Sequence, residues 1–339
     1  MFSWIAGVAL ALAGVFFLRY SIDHGWLQPA VRMSIGIIVG IALLVGSEVP
    51  AARRYGITVN ALTAAGVAIL FSTFFAAYAL WHLIPATATF ALLLLVAAAA
   101  VLLSIRRASI FIALLGLLGG FATPALVSTG QNNPIGLFGY LMLLNAGLAW
   151  VAYRKRWPLL TALSLVFTTI YQWGWVVKFL TAGTVPIAVG VFLLFPVLGF
   201  SSIVLGRGEE RDGEGSEGGG KWEWLFAQVA RAGAIVPLTL AVYLAAVPAY
   251  GTRWAILFGF LALVDLGLFA IAIARGPKLL HLVGAGTTLL VWAVWLNASY
   301  VADAWPWALA FLALFVGIYL LSPIVADRLR RPLDGLSAR

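Results

Sequence analysis

The chain has 339 residues, of which 63% are hydrophobic and only 10% are charged. Soluble domains carry about 25% charged residues, so this composition excludes a soluble globular enzyme and a disordered chain. The sequence contains no cysteine, which excludes a disulfide-bonded scaffold and a cysteine-ligated metal or iron–sulfur centre. A protein that crosses a membrane several times is the class that remains.

Twelve segments are long and apolar enough to cross the hydrocarbon layer, which takes about 20 residues of helix. They are predicted to be helices because lipid offers no hydrogen bonds to an open backbone, and because they lack the alternating pattern of a membrane β-barrel. The sequence therefore predicts an all-α, polytopic integral membrane protein with about twelve transmembrane helices. The predicted limits are 2–19, 30–48, 58–80, 84–104, 108–128, 134–152, 157–177, 185–205, 228–247, 253–274, 279–299 and 304–323.

The basic residues alternate between the two sides of these spans. Of the 21 Lys and Arg residues, 17 fall on one side of the spans: in the even-numbered loops, in the C-terminal tail and, for Arg231, at the adjoining end of span nine. Positively charged loops stay in the cytoplasm, so both termini are predicted to be cytoplasmic. The net charge of +9 follows from this topology. Basic residues confined to short turns do not form a nucleic-acid-binding surface, and no nucleic-acid partner is expected.

One hydrophilic segment, residues 206–221, interrupts the apolar pattern with seven glycines and eight charged residues. A segment of this composition cannot bury a core, so it is predicted to be a flexible cytoplasmic linker. It divides the chain into a first membrane bundle of about eight spans at residues 1–205 and a second bundle of about four spans at residues 222–326. A basic cytoplasmic tail is predicted at residues 327–339.

Asp265 is the one carboxylate near the centre of a predicted span, about 15 Å from the nearer end. An ionisable residue at this depth is costly, and its default interpretation is functional. Spans ten and eleven are predicted to form a hairpin that brings Thr288, with Thr287 beside it, level with Asp265. The three residues are therefore predicted to form a proton or ligand site. The alternative is that a protonated Asp265 joins neighbouring helices as a polar contact.

The first outer hairpin is a second candidate, because Arg19, Asp23, His24 and Arg32 lie within fourteen residues. One interpretation is ion pairing that holds a tight turn, with the arginines reaching the interface. The others are an extracytoplasmic anion site, or an enzyme for a lipid-linked substrate in which Asp23 is the carboxylate. No metal site is expected, since the sequence has only three histidines. No cofactor is expected either, because phosphate-loop and nucleophile motifs are missing.

A helix break is predicted where Gly116, Gly119 and Gly120 precede Pro124 within span five. Glycines let two backbones approach closely, and an internal proline removes a backbone donor. Broken helices line the binding sites of many transporters. Kinked helices without such a role also occur, and they are the alternative here.

Several short motifs in the first half resemble those of a known family. The most distinctive is LLGLLGGFATP at 114–124, and others are FFLRY at 16–20, DHGWL at 23–27, AAYAL at 76–80 and LFGY at 137–140. Over about residues 5–160 the chain resembles the bacterial predicted membrane proteins of the domain-of-unknown-function 2339 family. The resemblance implies a location in the bacterial inner membrane. It carries over no catalytic residues, because the family has no established activity.

Three functions stay open at this point. The spans, the predicted break and the buried acid favour a transporter or flippase-like protein for a small-molecule or lipid-linked substrate. The scarcity of polar groups favours a non-catalytic membrane scaffold or an envelope-assembly component. Asp23 alone supports a membrane enzyme. The lipid bilayer is the expected partner, and the sequence carries no signal for an oligomeric state.

Overall fold

The computed structural model describes residues 20, 25, 28–49, 56–128, 130–205, 219–275 and 278–328. The first predicted span at 2–19 lies outside these residues, as do most of the predicted linker and most of the predicted tail. Eleven long helices are found in the described ranges. They are α1 (Pro29–Glu48), α2 (Gly56–Ala79), α3 (Ala86–Arg107), α4 (Ile110–Leu126), α5 (Pro134–Lys155), α6 (Pro158–Phe179), α7 (Val185–Leu205), α8 (Gly219–Ala246), α9 (Trp254–Arg275), α10 (Lys278–Ala298) and α11 (Trp305–Arg328).

These helices coincide with predicted spans two to twelve to within a few residues, except that α8 begins at Gly219 rather than at residue 228. Seven of them are long and apolar enough to cross a membrane, and four further apolar stretches in α4, α7, α9 and α10 are shorter. No strand occurs among the residues described. The all-α class is therefore confirmed, while the total of twelve spans and the cytoplasmic termini stay predictions.

The helix ends follow local sequence signals. Proline is the first residue of α1, α5 and α6, where its missing N–H costs nothing. The side chain of Asn133 caps α5 by accepting a hydrogen bond from the backbone N–H of Gly136 at 3.0 Å. Ala108 and Arg156 end α3 and α5 in the left-handed conformation. Both helices carry basic residues in the last turn, which complements the helix dipole.

The contacts group the chain into two compact units, residues 1–131 and residues 132–339. In the first unit α2 is central and packs against α1, α3 and α4. Gly40 lets α1 approach α2, because a side chain there would come within 2.6 Å of Leu70. Arg107 at the end of α3 caps the end of α1: it donates to the carbonyl oxygen of Ser47 and pairs with Glu48 at 2.8 Å.

In the second unit α8 is central and packs against α6, α7, α9 and α10. Two buried hydrogen bonds hold α10 in place at one end of this group. The indole N–H of Trp295 donates to the carbonyl oxygen of Gly251 at 2.8 Å, and Ser299 donates to that of Ala245 at 2.8 Å. These two bonds fix α10 against the end of α8 and against the turn that follows α8. The domain boundary that the sequence predicts at the linker stays a prediction.

Candidate functional site

Asp265 lies in the middle of α9 and is only 2% exposed. Its carboxylate oxygen Oδ2 accepts a hydrogen bond of 2.7 Å from the hydroxyl group of Thr288 on α10. Thr288 is itself 3% exposed. The two helices pack against each other and are separated by only two residues of sequence, so residues at equal distances from this connection meet. The predicted pairing of Asp265 with Thr288 is thus present in the structure, and whether it serves as a proton or ligand site stays a prediction.

Thr287 takes no part in this contact. Its hydroxyl group donates to the carbonyl oxygen of Val283, within α10, at 2.8 Å. Consecutive residues of an α-helix point about 100° apart, so only one of the two threonines can face Asp265. The structure selects Thr288.

Tyr319 on α11 brings a third helix to the site. Its hydroxyl group interacts with Asp265 and with Thr288. Gly284 on α10 leaves the space in which these groups meet: a side chain there would lie 3.2 Å from the Tyr319 oxygen and 3.3 Å from Oδ1 of Asp265. Among the described residues, Oδ1 receives no hydrogen bond with normal distance and angle. Thr288 and Tyr319 are therefore the two polar neighbours of this carboxyl group, and Thr288 makes the closer hydrogen bond, to Oδ2.

Sequence reasoning missed Tyr319. The available signal was the spacing of Trp307, Phe311, Phe315 and Tyr319, which puts four aromatic residues on one face of α11. Tyr319 is the polar end of this row.

The segment from Gly116 to Pro124 is an uninterrupted helix, where the sequence predicted a break. Pro124 lies close to the end of α4, and the hydroxyl group of Thr123 donates to the carbonyl oxygen of Gly119 at 2.8 Å. Gly116 and Gly119 instead permit close packing. Side chains there would approach Ala100 of α3 at 3.0 Å and Phe71 of α2 at 2.8 Å, and Gly120 is buried. Their role in this structure is to bring α4 against α2 and α3.

Comparison with known proteins identifies the family of the chain. The family described as "Predicted membrane protein (DUF2339)" matches residues 1–256, about three quarters of the chain. The chain belongs to the DUF2339 family. No curated protein and no solved structure matches this DUF2339 member. The match ends at residue 256, so Asp265, Thr288 and Tyr319 of this DUF2339 protein lie outside the matched residues.

The other predicted cluster is described only at Arg32, which is half-buried on α1. Arg19, Asp23 and His24 lie outside the described residues, so the outer hairpin site of this DUF2339 protein stays a prediction. Within the described ranges, no group of three His, Asp or Glu side chains could hold a metal ion.

A further polar contact in the DUF2339 fold joins α5 and α6. The side-chain amide of Asn145 donates to the hydroxyl group of Thr168 at 2.9 Å and to the carbonyl oxygen of Leu141 at 2.7 Å. All of these groups find partners within the two helices. The contact links the two helices.

Proposed function

We propose that this protein is a transporter-like protein of the bacterial inner membrane in which Asp265 binds and releases a proton or a cation. The proposal includes about twelve spans, cytoplasmic termini and a flexible cytoplasmic linker at residues 206–221 between the two membrane bundles. The observation that carries it is a buried carboxyl group halfway along a membrane helix, whose polar neighbours Thr288 and Tyr319 are both uncharged.

The charge distribution supports this role. Asp265 is the only acidic or basic residue among the buried residues that the structure describes. No ion pair of Asp265 occurs in the described part of the chain. An unpaired carboxylate inside the hydrocarbon layer is stable only as the neutral acid or with a bound cation. Exchange between these two forms is the elementary step of a proton- or cation-coupled transporter.

The helices around Asp265 differ in how closely they are packed. Only 11% of the α11 span is buried, compared with 44% of the α8 span. α10 is held to the end of α8 by Trp295 and Ser299, whereas α11 packs mainly against α9. Displacement of α11 would carry Tyr319 away from Asp265 and leave the Thr288 contact intact. In the proposed mechanism this motion gives water access to the carboxylate.

Single-cysteine accessibility tests the proposal without a known substrate, because the chain contains no native cysteine. The variant Asp265→Cys is treated in right-side-out and inside-out membrane vesicles with a charged, membrane-impermeant thiosulfonate. Leu289→Cys is the matched control, since Leu289 is near the same depth on α10 but 70% exposed on the helix surface. Asp303→Cys, on the exposed turn before α11, is the positive control.

We expect the thiol at position 265 to react from at least one side, at a rate at least tenfold above that at position 289. A water-filled pathway would explain this difference, because a thiol in lipid stays protonated and unreactive. If position 303 reacts and position 265 is inert from both sides, the transporter proposal is wrong.

The hydrogen bond from Thr288 favours a second candidate, a non-catalytic scaffold in which Asp265 joins α9 and α10 as a polar contact. The same experiment separates the two functions. A scaffold needs no water at position 265, so it predicts no reaction there in a variant that folds normally by size-exclusion chromatography.

A further inference from the structure

A cluster of aromatic rings occupies the space between α9, α10 and α11 on one side of Asp265. Phe258 is its centre and is fully buried. The Phe258 ring stacks on Trp292 with the centroids 4.3 Å apart, and it contacts Trp295 at 5.0 Å and Phe311 at 5.5 Å. Each helix of the Asp265 site thus contributes aromatic residues to the same cluster.

The cluster extends to the exposed ends of these helices. Trp254 contacts Phe311 at 6.4 Å and stacks on Trp307 at 5.5 Å. The Trp307 residue is 56% exposed. Aromatic faces therefore continue from an exposed surface, through Trp254 and Phe311, to the buried Phe258.

Helical spacing connects the cluster to the carboxylate. Trp254, Phe258 and Asp265 are separated by four and seven residues, which places them on one face of α9. Thr288 and Trp292 are one turn apart on α10. By the helix rise, Phe258 lies about 10 Å from Asp265 along α9. The row of aromatic rings thus ends at the only buried charged residue described.

Two buried polar atoms along this row make no hydrogen bond of normal distance and angle among the described residues, although the Tyr319 hydroxyl group interacts with the carboxyl group of Asp265. One is Oδ1 of Asp265, and the other is the indole N–H of Trp292, which is buried without an acceptor. Packing alone does not require a buried tryptophan N–H and a carboxylate oxygen to stay unbonded, and such groups normally find partners. Asp265 is two helical turns from Phe258 along α9, and the Trp292 ring stacks directly on Phe258.

We propose that α9, α10 and α11 form a binding site for hydrophobic organic cations, with the aromatic rings lining the path and Asp265 as the counter-ion. Aromatic faces attract cations through their quadrupole, and a carboxylate in an apolar setting pairs with a positive charge. A hydrophobic body on the ligand would replace ring–ring contacts with ring–ligand contacts. The inference rests on the proposed function and names its substrate class.

A proton and the organic cation would compete for the same carboxylate. Cation binding requires Asp265 to be ionised, and protonation removes the counter-ion. Binding is therefore expected to weaken as the pH falls. This competition would couple release of the cation to uptake of a proton without any further charged group.

The test measures binding of tetraphenylphosphonium to the full-length protein in lipid nanodiscs by equilibrium dialysis. Tetraphenylborate is the matched control ligand, since it has the same shape and the opposite charge. Asp265→Asn removes the charge of the proposed counter-ion. Asp303→Asn is the control variant, because Asp303 is an exposed acid outside the site.

We expect saturable binding of tetraphenylphosphonium to the wild type and to Asp303→Asn. The dissociation constant should rise at least tenfold in Asp265→Asn, and tetraphenylborate should show no saturable binding. If Asp265→Asn fails to fold, the wild type is tested instead: its affinity for tetraphenylphosphonium should fall as the pH is lowered, and pH-independent binding would overturn the inference. Equal cation binding in Asp265→Asn and wild type, or equal binding of the two ions, would overturn the inference.

The two experiments show which of the two proposals is wrong. If the thiol at position 265 reacts with the charged thiosulfonate but tetraphenylphosphonium does not bind, a water pathway exists and the substrate class is wrong. If position 265 is inert, the transporter proposal itself is wrong.

Discussion

Removal of the Thr288 hydroxyl group is the most direct test of how the candidate site is built. Thr288→Val changes the side-chain shape little but leaves Oδ2 of Asp265 without its donor. Both residues are almost completely buried, at 3% and 2% exposure, so water cannot replace the lost bond. An unsatisfied buried acceptor costs about 1–3 kcal/mol.

The interaction itself is measured by a double-mutant cycle with Thr288→Val and Asp265→Ala. Interhelical hydrogen bonds in membrane proteins have coupling energies of about 0.6 kcal/mol on average, with a maximum near 1.7 kcal/mol. Hydrogen bonds to charged groups reach about 1.5–3 kcal/mol. At a donor–acceptor distance of 2.7 Å, we expect a coupling energy of about 1 kcal/mol and at least the membrane average.

The free energy of unfolding is measured by titrating the protein in mixed micelles with sodium dodecyl sulfate and following tryptophan fluorescence. Thr288→Ser keeps the hydroxyl group and should preserve most of the coupling. The stability changes caused by substitutions at distant, independent residues add to within about 0.3–0.5 kcal/mol. If the effects of Thr288→Val and Asp265→Ala are additive within that margin, the two side chains do not interact and the site is incorrectly assembled.

Three further stability changes are expected in the same titration. Gly40→Leu should lower the free energy of unfolding by about 1–3 kcal/mol through overpacking of α1 on α2. Gly46→Ala, which has open space around it, should not lower it, because alanine favours the helix over glycine. Arg107→Ala should cost about 1–3 kcal/mol because the end of α1 loses a charged donor, and an unchanged midpoint would contradict this cap. Asn145→Leu should cost about 0.6 kcal/mol or more by removing the bond to Thr168, and no added loss should follow when Thr168→Val is combined with it.

The sequence predicted the positions of the helices well because a membrane imposes a simple length rule. Runs of about 20 apolar residues must be helical in lipid, and Pro29, Pro134 and Pro158 mark three of the helix starts. The depth of Asp265 and its pairing with Thr288 followed from the same rule. Two helices joined by a short turn place residues at equal distances from the turn side by side.

The contacts between helices distant in sequence could not be predicted in this way. Tyr319 reaches Asp265 from α11, which is separated from α9 by the whole of α10. The glycines before Pro124 were interpreted as a break, although they pack α4 against α2 and α3. Both outcomes depend on the rotation of each helix about its own axis.

The sequence by itself determined that this is an all-α membrane protein, where its helices lie, and which acid is buried among them. Only the tertiary structure decided that Thr288 rather than Thr287 binds Asp265, that Tyr319 joins them, and that aromatic rings of three helices meet at Phe258. In a membrane the lipid-facing and protein-facing sides of a helix are both apolar. Hydropathy therefore marks the length of each span but leaves its inward face to be set by packing.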